Sequence, residues 1–150
     1  MVINNIIDLV NKLSDNNCDP INIISLYKSN EWTKYIPKNL DNTYKKVLVY
    51  TNNLFEIFFI YWSPNSKTLV HDHPNEGCIM KVLQGELIEE QYNNNNNILT
   101  YYKTNIINNI SQINGNKIVH RIINKNIYSV TMHIYFPPNY KHNIYNFFIN

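Results

Sequence analysis

Residues 71–92 read HDHPNEGCIMKVLQGELIEEQY, and this stretch carries the pattern that decides the fold. Two segments, 78–83 and 86–92, are rich in apolar residues, and each has the length of one β-strand. Gln84-Gly85 separates them and is a turn signal. The stretch therefore predicts two consecutive short strands rather than a helix.

The same pattern of short apolar segments continues on both sides of this stretch. The turns between them are rich in Asn and Pro, and Asn93 to Asn97 is interpreted as an expanded hairpin turn. Many short strands at such spacing predict a mainly β protein, a sandwich or a barrel. The further predicted strands are 47–50, 54–62, 67–71, 98–102, 117–123 and 128–136.

The first forty residues have a helical period instead. Apolar residues recur at intervals of three and four and place one face of a first helix against a core: Ile3, Ile6, Ile7, Val10 and Leu13. Asn16-Asn17 interrupts this pattern, and Asp19-Pro20 is a start signal for a second helix that runs to about Lys28. A short helical turn is expected around Trp32 and Tyr35.

Composition excludes several classes of protein. The net charge is only +2 and charged residues make up 16% of the chain, so there is no electrostatic support for nucleic-acid or membrane-surface binding. Two cysteines, Cys18 and Cys78, are too few for a disulfide framework. The sequence has no signal-peptide pattern and no apolar run long enough for a transmembrane helix. We therefore expect a soluble protein of the cytoplasm.

His71 and His73 are two positions apart, so their side chains point to one face if the backbone is extended. Two neighbouring imidazoles can hold a metal ion, although such a pair by itself is more often incidental. The surrounding spacing strengthens the metal hypothesis, because it resembles the two sequence motifs of the cupin fold. The matching positions are Asn65, His71, His73, Cys78 and Gly85 in the first motif, and His120 and Asn124 in the second.

Two positions depart from the cupin pattern. Asn65 stands where glycine is usual, and Asn tolerates the left-handed backbone that such a position requires. Cys78 stands where the family usually has an acidic metal ligand. The second departure is functional, because it removes a carboxylate from the expected metal site.

A more specific resemblance is to cysteine dioxygenase, and it runs from about Trp32 to Pro138. Five separate elements occur in the family's order and near its spacing. They are Trp62, His71-Asp72-His73, Cys78 with the following segment 81–87, His120-Arg121, and the segment 132–138, which reads MHIYFPP. The resemblance implies a single-domain cupin, an antiparallel β-barrel of the jelly-roll type with short N-terminal helices.

The resemblance also implies an iron site. His71, His73 and His120 match the three neutral histidine ligands of Fe(II) in the family. A site without a carboxylate is one charge more positive, which favours a thiolate substrate.

Three further residues match the family's catalytic machinery. Cys78 and Tyr135 match the pair that becomes joined by a thioether bond in animal members, and His133 matches the histidine that hydrogen-bonds that tyrosine. His133 and Tyr135 are two apart in a predicted strand and so share a face. Without the resemblance, a buried cysteine is ordinarily a small apolar core residue.

The family holds the substrate carboxylate with an Arg two residues after a Tyr. Counting back from Trp62 without a gap places Tyr44 and Lys46 at these positions. A second register would use Tyr50 and Asn52 but requires a deletion within a hairpin, so we prefer the first. Lys supplies a point charge where Arg supplies a planar fork, so the change weakens carboxylate binding or alters substrate preference.

The expected activity is the conversion of L-cysteine and O₂ to cysteine sulfinic acid, a step of cysteine catabolism, by a monomer with Fe(II). Two alternatives stay open: another small thiol, cysteamine or 3-mercaptopropionate, and a non-redox metal-binding cupin in which Glu76 is a fourth ligand. His142 is a candidate substrate contact near the mouth of the site. The expected organisation is one domain over residues 1–150, with helices to about 40, the barrel over about 44–138 and a short tail over 139–150.

Overall fold

The computed structural model describes residues 1–15, 17–125 and 127–146. Two short α-helices and one 3₁₀-helix precede the strands. The α-helices are Ile6–Leu13 (α1) and Pro20–Ser25 (α2), and the 3₁₀-helix is Glu31–Tyr35. The strands are Tyr44–Thr51 (β1), Glu56–Trp62 (β2), Val70–His71 (β3), Cys78–Gln84 (β4), Leu87–Asn95 (β5), Ile98–Ile107 (β6), Ile110–Ile113 (β7), Ile118–Ile123 (β8), Ser129–Tyr135 (β9) and Ile144–Tyr145 (β10).

The strands form two antiparallel sheets, which confirms the predicted mainly β class. One sheet has the order β1-β2-β9-β4-β7 and the other has the order β10-β3-β8-β5-β6. Strand β9 is buried along its whole length between β2 and β4. It therefore lies at the centre of its sheet, and its strand pairing on both sides fixes the positions of its side chains.

The N-terminal helices pack on the first sheet. Asn5 and Asp19 cap α1 and α2, and Pro20 begins α2 as its signal predicts. Helix α2 ends at Ser25, earlier than expected, and Lys81 of β4 donates hydrogen bonds to the carbonyls of residues 24, 25 and 27. A buried ammonium group thus closes the C-terminal end of the helix. Within the described chain, the helices are too short for any of them to traverse a lipid bilayer.

One predicted helical face was partly wrong. Ile7 is 73% exposed, and Leu9 takes the buried position instead. Ile3 is buried, but it precedes the helix and forms a bridge with Tyr27. The helix begins after its cap at Asn5 and buries Ile6, Leu9, Val10 and Leu13 at intervals of three and four, which leaves Ile7 on the exposed side.

Two features of the strands differ from the sequence prediction. Strand β7 was missed, because ISQI is short and polar residues interrupt it. The asparagine run was expected to be an expanded turn, but most of it is strand. Asn95 pairs with Ile98, and only Asn96 and Asn97 form the turn, both with positive φ. Asn tolerates this backbone, so a run of Asn can end one strand and turn tightly into the next.

Three motif positions have structural roles. Asn65 has φ +64, as its place in the motif predicts. Gly85 has φ +82, and a Cβ there would lie 2.2 Å from Ser129 Oγ, so only glycine fits. Asn124 is fully buried and donates hydrogen bonds to the carbonyls of Trp62, Ser63 and Ile127. These contacts close one end of the two sheets.

Candidate metal centre

Four of the five histidines meet on the second sheet. His71 lies on β3 and is the cross-strand partner of His120 on β8. His73 follows β3, and His142 lies just before β10, which pairs with β3. The cluster is therefore built from three segments that are far apart in sequence and that antiparallel strand pairing brings together.

The four imidazoles are in close contact. The ring centroids of His71 and His73 are 5.0 Å apart, and the ring of His120 lies 4.7 and 4.6 Å from these two. The ring of His142 lies 5.0 Å from His71 and 5.4 Å from His73. One ring nitrogen from each of His71, His73 and His142 lies within 4.8 Å of the others, a geometry that can hold a metal ion.

Hydrogen bonds set the tautomer of three of these rings. Nδ1 of His71 lies 2.8 Å from the Leu69 carbonyl oxygen, and Nδ1 of His120 lies 2.7 Å from Glu89 Oε1. Nδ1 of His142 lies 2.7 Å from the Asp72 carbonyl oxygen. A carbonyl or an ionised carboxylate can only accept, so each Nδ1 carries the hydrogen. In the neutral rings, Nε2 is therefore the nitrogen with a free lone pair.

The environment keeps the rings of His71, His73 and His142 neutral, which is the form that binds metal. Burial, with a smaller contribution from His120, lowers the pKa of His71 to about 3. Burial and the neighbouring histidines lower the pKa of His73 further, and burial also lowers the pKa of His142. His73 Nδ1 is buried and has no hydrogen-bond partner among the described residues. A set of neutral imidazoles with an unsatisfied buried nitrogen fits a borderline transition metal such as Fe, Zn, Cu or Ni.

Glu89 is a functional residue that sequence reasoning missed. Its carboxylate is 1% exposed and also accepts from Gln91 and Asn105. Burial alone would raise the pKa of Glu89, but the hydrogen bonds from His120 and these amides outweigh it and lower the pKa. An acidic residue at an inward position of a strand, between Leu87 and Gln91, was the available signal. A carboxylate behind a histidine is a common support for a metal ligand.

The first sheet contributes a second group of candidate site residues. Cys78 and Tyr135 are cross-strand partners on β4 and β9, and a side-chain hydrogen bond joins them. Burial raises the pKa of Cys78 to about 12 and raises the pKa of Tyr135 well above its usual value. Both groups are therefore protonated at neutral pH.

His133 has different partners from those that the resemblance implies. Its Nδ1 lies 3.8 Å from Cys78 Sγ and its Nε2 lies 3.0 Å from Thr131 Oγ1. Thr131 in turn accepts from Trp62 Nε1 at 2.9 Å. The structure thus connects His133 to the cysteine and to a threonine that the sequence did not single out, while its ring lies 6.1 Å from that of Tyr135.

A cavity of about 160 Å³ opens between these two groups of residues, and both Tyr44 and Lys46 line it. The Tyr44 ring stacks on Trp62 at 4.9 Å. Lys46 Nζ lies 4.4 Å from the ring centroid of Phe58 and 4.8 Å from that of Tyr135. Burial lowers the pKa of Lys46, although Cys78 and Glu56 partly oppose this.

Other candidate residues lie elsewhere. Asn52 lies in the β1–β2 turn and accepts from the amides of residues 54 and 55, so the second register does not bring it to the cavity. Arg121 pairs with Glu90 at 2.6 Å. Glu76 is exposed and lines a different groove, beside Phe136, so the expectation of Glu76 as a fourth ligand was wrong. Among the described residues that line the cavity, Lys46 is the one lysine or arginine.

Structures of known proteins are similar in fold. A Bacillus halodurans protein matches with a TM-score of 0.57 and 15% identity over 88% of this chain and 90% of that one. A Klebsiella pneumoniae protein described as having a double-stranded beta-helix domain matches with a TM-score of 0.50 and 20% identity, over 76% of this chain and 93% of that one. These likenesses confirm the cupin-type double-stranded β-helix.

Sequence comparison is more specific. Cysteine dioxygenase type 1 of Rattus norvegicus is 26% identical over 125 residues, which cover 77% of this chain and 62% of the rat protein. The human protein matches over the same extent and at the same identity. The chain thus spans a little less than two thirds of the length of these relatives. The family model "Cysteine dioxygenase type I" matches residues 1–147, and the chain belongs to that family.

Proposed function

We propose that this protein is an Fe(II)-dependent thiol dioxygenase whose substrate is L-cysteine. The observation that carries the proposal is the meeting of neutral imidazoles with a cationic cavity wall. His71 lines the cavity together with Lys46 and Tyr135, and the rings of His73 and His120 lie 5.0 and 4.7 Å from the His71 ring. A small anionic thiol fits the cavity, with its sulfur toward the histidines and its carboxylate toward the ammonium group.

In this proposal His71, His73 and His120 hold the iron, which supplies the redox chemistry that allows O₂ to react with a thiolate. The protein residues bind and orient the substrate. Glu89 fixes the ring of His120 through its Nδ1–H. Lys46 holds the carboxylate, and the protonated Tyr135 hydroxyl is available as a hydrogen-bond donor. Both oxygen atoms enter the product sulfinate, and the substrate sulfur supplies all four electrons.

The charge of the cavity favours carboxylate-bearing thiols. Cysteamine has the ammonium group of cysteine but lacks its carboxylate, so it offers Lys46 no opposite charge. 3-Mercaptopropionate has the carboxylate and remains the alternative substrate. The argument for a non-redox cupin was Glu76 as a fourth ligand, and Glu76 lines a different groove. The cytoplasmic location and the monomeric state expected from the sequence stay predictions.

The test is O₂ consumption by the Fe(II)-loaded protein with L-cysteine, 3-mercaptopropionate and cysteamine in parallel. The sulfinate product is identified by mass spectrometry. We expect uptake with L-cysteine, with one O₂ consumed for each sulfinate formed. Absence of uptake with all three thiols by a protein that contains iron would refute the dioxygenase assignment.

Substitution of Lys46 tests the carboxylate contact. Lys46→Ala should raise KM for L-cysteine about tenfold or more, because a charge-assisted hydrogen bond contributes about 1.5–3 kcal/mol. Lys46→Arg should retain or improve binding, since its planar fork matches a carboxylate. Lys45→Ala is the matched control, because Lys45 is also exposed but does not line the cavity and lies on the other face of β1. An unchanged KM in Lys46→Ala would show that another group binds the carboxylate.

The contact between Cys78 and Tyr135 supports formation of a thioether bond. A bond from Sγ to a ring carbon of Tyr135 removes two hydrogen atoms, with O₂ as the oxidant. After turnover, the intact protein measured under denaturing conditions should therefore contain a species lighter by two hydrogens. Cys78→Ser and Tyr135→Phe should lack this species. Its absence from the wild-type protein after many turnovers would mean that the two residues act without a crosslink.

A further inference from the structure

We propose that His142 is a fourth ligand of the metal, so that in the absence of substrate the site is a four-histidine centre closed by the C-terminal segment 140–145. The inference rests on the proposed function in one respect: it requires a metal ion at the histidine cluster. It does not require that the metal be iron or that the protein turn over a thiol.

The position of the His142 ring is the first argument. A ring nitrogen of His142 lies within 4.8 Å of nitrogens of both His71 and His73. Two nitrogen ligands of one ion, each about 2.1 Å away, are separated by about 3–4 Å, so only small movements bring these three side chains onto one ion. The fourth histidine, His120, lies beside them, with its ring 4.7 and 4.6 Å from the rings of His71 and His73. The ring also lies 5.3 Å from that of Tyr135, at the boundary between the metal cluster and the substrate cavity.

The hydrogen bonding of the ring is the second argument. His142 donates its Nδ1–H to the Asp72 carbonyl, as His71 does to the Leu69 carbonyl. This leaves Nε2 of both rings as a free electron pair. A backbone carbonyl behind a histidine is the usual support of a metal ligand, because it fixes both tautomer and ring orientation. His142 therefore has the same support as a residue already expected to bind the metal.

The third argument is the anchor that holds the segment in place. The Asp72 carboxylate is 1% exposed and accepts four hydrogen bonds from the segment. Tyr140 Oη and Tyr145 Oη each lie 3.0 Å from it, and the backbone and side-chain nitrogens of Asn143 lie at 2.8 and 2.7 Å. Asp72 stands between His71 and His73, so one residue links the segment that carries His142 to the two other ligands.

This arrangement has a consequence for substrate binding. A fourth protein ligand occupies a coordination position that a thiol would otherwise take, so His142 and the thiol compete for the metal. His142 lies just before β10, outside the paired residues, whereas His71 and His120 lie within paired strands. His142 is therefore the ligand that a thiol displaces.

The test uses Co(II) as a spectroscopic probe of the full chain. Co(II) affinity is measured by competition with a chelator, and coordination by the visible absorption of the bound ion. His142→Gln preserves a donor toward the Asp72 carbonyl and should bind Co(II) at least about tenfold more weakly, with an altered visible spectrum. Lys141→Gln, at the exposed neighbouring position, should match the wild type in both.

A second measurement needs no variant. In proton NMR of the wild-type Co(II) protein, each histidine ligand contributes one strongly shifted, exchangeable ring N–H signal. We expect four such signals, and three would overturn the proposal. Equal affinity of wild type and His142→Gln, or weaker affinity with an unchanged spectrum, would also overturn it.

The outcomes separate this inference from the proposed function. Four N–H signals in a protein that oxidises no thiol would leave the four-histidine centre standing and refute the dioxygenase. Thiol oxidation by a protein with three such signals would support the dioxygenase and refute the four-histidine centre. A wild-type protein that binds neither Co(II) nor Fe(II) would refute both.

Discussion

Replacement of His73 by alanine is expected to abolish thiol-dependent O₂ uptake and to lower metal affinity at least about 100-fold. Loss even of a residue that only supports a ligand commonly costs 10–100-fold in metal affinity, and loss of the ligand itself should cost no less. His73 is central to the cluster, with its ring within 5.0 Å of the His71 ring and within 4.6 Å of the His120 ring. Iron content and O₂ uptake, measured on the same preparation, check this result.

In the metal-free protein, by contrast, replacement of His73 should not lower the stability. His73 Nδ1 is buried without a hydrogen-bond partner among the described residues, and such an atom costs about 1–3 kcal/mol. His73→Leu fills similar space without a polar atom, so the metal-free variant should be at least as stable to urea as the wild type. His73 would then be a residue that metal binding requires although it lowers the stability of the metal-free protein. Full iron content in His73→Ala, or a large loss of stability in His73→Leu, would contradict this account of the residue.

Replacement of Asp72 by alanine is expected to be the most destabilising change at the site, with a loss of about 3–5 kcal/mol in the free energy of unfolding. The change removes a buried carboxylate and leaves four donors of the segment 140–145 without their acceptor. Hydrogen bonds to charged groups contribute about 1.5–3 kcal/mol each, and the exposed donors can partly recover by bonding to water. Urea denaturation of the metal-free protein measures the loss.

Tyr145→Phe is the matched control for Asp72, since it removes one of the four donors and keeps the ring against Val70. A loss of about 1 kcal/mol is expected there. Asp72→Ala should also weaken Co(II) binding, because the segment that carries His142 is released. An Asp72→Ala protein with wild-type stability would mean that the segment is held by its pairing with β3 and not by the carboxylate.

Much of this site was predictable from local sequence. The spacing of two in His71-Asp72-His73 determines that both imidazoles emerge on one side of an extended backbone, because side chains alternate along a strand. The apolar segments predicted, at least in part, eight of the ten strands in the described part of the chain, and Asn65 and Gly85 marked backbone conformations that few other residues adopt. These features depend on neighbours in the chain, so a sequence contains them directly.

The contacts between site residues that are distant in sequence could be seen only in the tertiary structure. Glu89 and Thr131 gave no motif, yet one supports His120 and the other lies against His133, because strand pairing aligns them. His142 was placed only near the mouth of the site, and the pairing of β10 with β3 brings its ring to His71. The sequence alone determined most of the strands and the histidine pair, since these follow from local periodicity and spacing, and its motifs resembled those of the family. Only the tertiary structure decided that a fourth histidine joins the cluster, because contacts between residues seventy positions apart depend on strand register.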